Sequence, residues 1–190
     1  MAIIAIATHP VFKDENKMAA KIRQPKTPVN FNLFIDGEGY AGLATATKLP
    51  DISIKTEDHM GAGMEFNRKR DYGLEDLEIT FKLLDYNGAL QRKVAIKNGS
   101  NTLLIFKSTL TDDEGPETED VTAWARGHIQ KLEIDEFTAG GKVENSYTMA
   151  PKYYKKMVNG VEIHEVDGDN YVRKIAGLDY LANQRADLWI

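Results

Sequence analysis

Several groups of residues have types and spacings that could do chemistry. The run Gly37-Glu38-Gly39-Tyr40-Ala41-Gly42 satisfies G-x-G-x-x-G after a strand-like segment, the spacing with which a glycine-rich turn lays a pyrophosphate on a helix N-terminus. A threonine-rich run ending at Pro50 follows in place of a helix, and Glu38 would repel a phosphate, so these glycines read as a hairpin turn. Asp112, Asp113 and Glu114, with Glu117, Glu119 and Asp120, hold enough carboxylates for a hard cation or a general acid and base. Their setting around Pro116 is that of a solvated loop. Asp167-Gly168-Asp169-Asn170 has the opening of a calcium loop without its later ligands or closing glutamate, and reads as a tight turn. His9, His59, His128 and His164 stand in no paired-ligand spacing, and Ser53, Ser100, Ser108 and Ser146 have no G-x-S-x-G elbow around them. With no nucleophile, base and orienter at a motif-supported spacing, the expectation is a protein that is not an enzyme, with no catalytic residue, cofactor or metal.

Composition narrows the alternatives. The chain of 190 residues is long enough for one domain with a full core, and its apolar and charged fractions are those of a globular protein. A formal charge of −5 argues against a general grip on nucleic acid, which needs a surplus of lysine and arginine on the binding face. The absence of cysteine removes disulfides, thiolate metal sites and cysteine nucleophiles. The apolar start from Ile3 to Ala7 has no basic leader and is shorter than a signal-peptide core or a membrane span, so a strand or ordered arm in a cytoplasmically made protein is expected, with no membrane partner.

The elements that would position any site are mostly strands. Residues 1–28 carry Pro10, Pro25 and Pro28 without sustained periodicity and read as an N-terminal arm, leaving 29–190 as the β-domain with a C-terminal tail. Phe31 to Ile35 alternates, Asp36-Gly37 is a turn signal, and Tyr40 to Lys48 is rich in small and β-branched residues, which together predict a hairpin. Ile52 and Ile54 begin another strand, and Thr56 to Asp71 reads as a long exposed loop or protruding hairpin. Leu77, Ile79, Phe81 and Leu83 share one parity, with Glu78, Thr80 and Lys82 on the other, the signature of a half-buried strand.

A short helix is predicted between Gly88 and Lys97, stopped by Asn98-Gly99. Leu103 to Leu110 reads as a buried strand. Val121 to Phe137 is long for one strand, and its apolar parity slips between Ile129 and Leu132, which predicts a bulge or bend. Tyr147, Met149, Tyr153 and Met157 are placed on one face of the next strand, with the tyrosines in the core stripe, and Asn159-Gly160 turns the chain into another hairpin. A strand around Tyr171 to Ile175 precedes a tail, Leu178 to Ile190, of moderate helical spacing. The sum is a mainly β chain, an antiparallel β-sandwich or barrel of roughly seven or more strands with one short flanking α-helix.

These residues resemble the major tail tube protein family of contractile-tailed phages, which includes the inner tubes of R-type pyocins. The resemblance runs through Asn32-Leu33-Phe34, Asp36-Gly37, Tyr40-Ala41-Gly42, Leu49-Pro50, Met60-Gly61-Ala62-Gly63-Met64 and Tyr72-Gly73-Leu74-Glu75-Asp76-Leu77-Glu78. It resumes at Ala125-Arg126-Gly127, Lys131-Leu132-Glu133-Ile134-Asp135, Asn159-Gly160, Glu165-Val166-Asp167 and Ala176-Gly177-Leu178-Asp179, followed by Arg185. Residues 1–28 depart from it, since familiar members begin close to the Asn32-Leu33-Phe34 segment.

The resemblance implies a structural virion protein whose copies close into hexameric rings. The rings would stack into the inner tail tube inside a contractile sheath, as a conduit for DNA ejection. Sheath, baseplate and tail terminator proteins would be its partners, DNA would pass without specific binding, and assembly would take place in the host cytoplasm. By the same analogy the excursion holding Thr56, Glu57, Asp58, His59, Met60, Gly61, Ala62, Gly63, Met64, Arg68, Lys69 and Arg70 would reach the adjacent ring. Glu78, Thr80 and Lys82, or Lys131, Glu133 and Asp135, would face the lumen. The alternatives are the tube of a genome-free particle, such as a pyocin or contractile injection system, and a monomeric β-sandwich binding module.

Overall fold

Strand parity accounts for most of the architecture. In the computed structural model, which describes residues 25–96, 101–112 and 117–189, the elements are β1 (Thr27–Ile35), β2 (Glu38–Gly39), β3 (Ala44–Lys48), β4 (Ile54–His59), β5 (Arg68–Leu74), β6 (Ile79–Leu83), α1 (Gly88–Gln91), β7 (Thr102–Thr111), β8 (Thr118–Ile134), β9 (Asn145–Val158), β10 (Val161–Asp167), β11 (Val172–Ile175), β12 (Leu178–Asp179) and α2 (Ala182–Leu188). Most of the expected N-terminal arm, the Asn98-Gly99 helix stop, and Asp113 to Pro116 of the acidic loop lie outside the described residues.

A 10-stranded antiparallel sheet runs in the order β12-β11-β10-β9-β8-β7-β1-β2, with β6 added to β9 and β3 added to β6. The long strands β8 and β9 take part in both halves. Their outer stretches, Ile129 to Ile134 and Asn145 to Met149, lie beside β6 and β3, while Val121 to Arg126 and Tyr153 to Val158 lie between β7 and β10. One sheet is thereby folded into two layers around a common core.

Within that core Ile79, Met149 and Ile129 form one cross-strand row, and Phe81, Tyr147 and Leu132 the next. The Phe81 and Tyr147 rings stack at 5.2 Å with 9° between their planes, an arrangement that contributes about 0.5–1.5 kcal/mol beyond the area it buries. β6 is the strand its parity predicted, with Ile79, Phe81 and Leu83 fully buried.

The predicted slip in β8 is a register shift between Ile129 and Lys131, which keeps Ile129 and Leu132 on the core side. A second shift, between Arg126 and Gly127, skips Lys152 on β9 and corrects the expected face of that strand. Tyr147 and Met149 are buried as predicted, but after the skipped residue parity inverts and Tyr154 takes the core position. Tyr153 faces the other way and donates its hydroxyl to Glu165 at 2.9 Å. Tyr72, Tyr86 and Tyr180 are also exposed, so the tyrosines are not all core residues.

Other expectations change through tertiary pairing. The turn at Asp36-Gly37 is present, but its hairpin ends after β2; Leu43 and Ala44 donate their N–H groups back to the Tyr40 carbonyl, and the chain crosses to pair β3 with β6. Gly37, Gly39 and Gly42 thus serve turns and a short strand. β7, expected as a buried strand over Leu103 to Leu110, buries one face, through Thr102, Leu104, Phe106 and Ser108. Asn87 caps α1 by accepting from the N–H groups of Ala89 (2.9 Å) and Leu90 (3.2 Å). That helix stops at Gln91 because Val94 bridges to Ile129 and Ala95 donates to the Ile129 carbonyl at 3.0 Å. The tail forms β12 and then α2, a second short helix beside the one predicted.

Candidate functional site

Two surfaces gather the residues singled out in the sequence: the β4–β5 hairpin and the outward face of the layer formed by β3, β6, β9 and β8. The hairpin is a two-stranded sheet of its own, separate from the main one. Its register sets Glu57 opposite Arg70, Asp58 opposite Lys69 and His59 opposite Arg68, so β4 carries an acidic edge and β5 a basic one. Every residue of β4 is exposed, as are Arg68 to Tyr72 on β5. Between the strands, Met60 and Phe66 are 62% and 73% exposed, while Met64 folds its sulfur over the Gly61 N–H at 3.2 Å. Gly63 has φ +86°, a conformation that glycine adopts without strain. Thr56 to Met64 and Arg68 to Arg70, the set expected to form an inter-ring contact, are therefore brought together on one projection.

The root of this projection is tied down by a few polar contacts. Arg173 on β11 reaches the Asp71 carboxylate at 3.0 Å, and the other oxygen of Asp71 accepts the Gly73 N–H at 2.7 Å. These hold the Asp71 carboxyl below its usual range, the Gly73 bond contributing most and Arg173 next. Glu75 donates its N–H to the Ser53 carbonyl at 2.9 Å, and its side chain accepts from the Ser53 hydroxyl. A cleft of about 640 Å³ opens beside the root, between Tyr72, Pro151, Val172 and Leu181.

On the layer, the candidate lumen residues stated as alternatives occupy one face. Register aligns Lys48, Thr80, Thr148 and Lys131 in one row across β3, β6, β9 and β8, and Ala46, Lys82, Ser146 and Glu133 in the next. Glu144 joins them, accepting from Lys82 at 2.8 Å and from the Thr45 hydroxyl at 2.6 Å. Lys131 pairs with Glu133 at 2.6 Å. Each carboxyl is lowered, and each ammonium raised, chiefly by the hydrogen bond to its partner. Glu78 and Asp135 flank these rows and are exposed. Lys48, Ser146, Thr148 and Glu144 were not expected on this face from the sequence; the alternation of Ser146 and Thr148 with buried Tyr147 and Met149 was the signal for two of them.

The charged side chains of this surface are paired with one another across and along the strands. Among the described residues no three histidine, aspartate or glutamate side chains converge to hold a metal ion. The Asp167 carboxylate that suggested a calcium loop accepts the N–H groups of Asp169 and Asn170 at 3.0 Å each, closing a local turn.

The two ends of the layer differ. The hairpin leaves from the end marked by Ile79, Met149 and Ile129, whereas Tyr86 and Phe137 each follow a strand past the opposite end, marked by Leu83, Asn145 and Ile134. Residues 25–188 match the family described as phage tail tube protein FII. The chain belongs to this family. It is 27% identical over 160 residues to the tail tube protein of Escherichia phage P2, an alignment covering 83% of this chain and 93% of that one. To the major tail tube protein of Serratia phage KSP20 it is 24% identical over 153 residues, covering 80% and 89%.

The fold of this tail tube protein is shared with chains of an extracellular contractile injection system, PVC, solved in the extended state. For the sheath/tube terminator the TM-score is 0.55 at 14% identity, covering 72% of this chain and 99% of that one. For the sheath-tube complex it is 0.50 at 16% identity, covering 67% and 87%.

Proposed function

We propose that this tail tube protein closes into hexameric rings that stack as the inner tube of a contractile phage tail and conduct DNA during ejection. The observation that supports this most directly is a pair of open edges on one layer. Among the described residues β3 is paired on one side only, with β6. At the other margin, β8 beyond Gly127 is paired with β9 and, among the described residues, is otherwise met by backbone only at Ile129, by the Val94 bridge and the Ala95 N–H, which leaves Lys131 to Ile134 open. An open strand edge is a template for another strand, and two different edges on one subunit give the heterologous contact that closes a ring. Joined in this way, the rows from Lys48 to Lys131 and from Ala46 to Glu133 run continuously around a channel. A lining of paired opposite charges has no basic stripe to hold phosphates, which suits a conduit.

Stacking needs a second pair of surfaces, and the hairpin supplies one of them as an arm toward the adjacent ring. Sheath, baseplate and terminator proteins are its further partners, and the virion tail, assembled in the host cytoplasm, is its place. The sequence relatives from phages favour this over the genome-free particle, whose tubes share the fold. Electron micrographs of the full-length chain, alone and in tails from particles, test the proposal. Hollow stacked rings are expected; a 21.3 kDa species that enters no tube overturns it. Replacing Arg68, Lys69 and Arg70 by glutamate is expected to leave rings that do not stack, and unchanged tube lengths would remove the arm's role.

A further inference from the structure

The tip of an arm needs a receiving surface, and the opposite end of the same layer presents one. Tyr86 and Phe137 meet there edge to face, with ring centroids 5.7 Å apart, yet remain 54% and 66% exposed. Two large aromatic side chains that contact each other outside the core form an apolar surface of the kind that anchors protein contacts. Asp85 directly precedes Tyr86, and Asp135 and Glu136 directly precede Phe137, so each ring has a carboxylate next to it in the chain. The β5 side of the hairpin is complementary in both respects: the tip exposes Met60 and Phe66, and β5 just behind it carries Arg68, Lys69 and Arg70, with the acidic Glu57 and Asp58 on the opposite strand. The arm leaves one end of β6 and the aromatic pair lies past the other, so translation of one copy along the strand direction brings the two together.

We propose that the Tyr86–Phe137 pair is the socket for the Met60–Phe66 tip of a second copy in the next ring, with Arg68 to Arg70 held by Asp85, Asp135 and Glu136. This rests on the stacking proposed above and assigns its receiving side. Phe66 and Met60 supply the apolar anchor, and the charge pairs fix which end accepts the arm.

The chain has no cysteine, so introduced thiols report a single contact. A full-length chain carrying Phe66→Cys and Phe137→Cys, oxidised within assembled tubes, is expected to give a covalent ladder of multimers on denaturing gels. Either substitution alone should give none. Tubes that form normally from the double variant without a ladder overturn the socket while leaving stacking intact; a wild-type chain that forms no tubes overturns stacking itself. Should the cysteine variants not assemble, Phe137→Asp provides the second measurement. Rings that persist but no longer build tubes of wild-type length support the socket, and tubes of full length overturn it.

Discussion

A Cβ atom on Gly127 would lie 2.1 Å from the Ala150 carbonyl oxygen and 2.6 Å from the Pro151 Cα. No side chain fits at this crossing of β8 and β9, because both obstacles are backbone. The same point carries the register shift that skips Lys152 and sends the two strands from one layer into the other. Gly127→Ala must therefore push the strands apart where the sheet folds over. A loss of about 1–3 kcal/mol or more is expected, read as a lower denaturant midpoint. Gly88→Ala, where a Cβ meets nothing within 4 Å, serves as the control and should move the midpoint little.

That crossing also explains what sequence patterns could convey. Where a strand keeps one register, as β6 does, the alternation of Ile79, Phe81 and Leu83 identifies the buried face directly. The slip between Ile129 and Leu132 was visible because apolar residues stand on both sides of it. The skip at Lys152 left no such mark: Tyr153 and Tyr154 are chemically alike, so either could be the buried one, and the decision belongs to Gly127 on the facing strand. The same holds for the site. The hairpin's charges and glycines could be read locally, but that Thr80 and Lys131 share a row follows from both pairing with Thr148 on β9, which for Thr80 is a partner 68 residues away (148 − 80) that no local pattern encodes.

The polar cluster on β9, β10 and β11 sets a pH dependence. The Glu165 side chain, 14% exposed, accepts from Lys174 at 2.8 Å and from the Tyr153 hydroxyl at 2.9 Å, with Lys155 at 3.9 Å. The Lys174 bond chiefly holds its carboxyl below the usual value, outweighing burial, which pushes it up. A carboxyl depressed on folding adds stability above its unfolded pKa, and that stability is lost as pH falls through the folded value. Glu165→Gln is therefore expected to cost about 1–2 kcal/mol at neutral pH. The gap to wild type should shrink as the medium is acidified to about pH 3. Urea midpoints at the two pH values check this; a gap that stays constant would show that the charge contributes nothing.

The assignment of the bore makes the last prediction. On the outward face Lys48 pairs with Asp51, Lys82 with Glu144 and Lys131 with Glu133, and Thr80 and Thr148 are the neutral positions in the row between Lys48 and Lys131. Thr80→Lys with Thr148→Lys would convert that row into an unbroken basic stripe without touching the core face. If the row lines the channel, the stripe is repeated in every subunit of every ring, and each lysine near a phosphate adds a contact whose strength falls with salt. Ejection from particles carrying the double variant should then be slow at about 0.01 M salt, where charges act over about 30 Å, and should recover toward wild type near 0.15 M, where that reach is about 8 Å. A variant whose tubes assemble and whose ejection rate equals wild type at both salt concentrations would place this face away from the DNA. The open edges of β3 and β8 would then have to close the ring with some other surface turned inward.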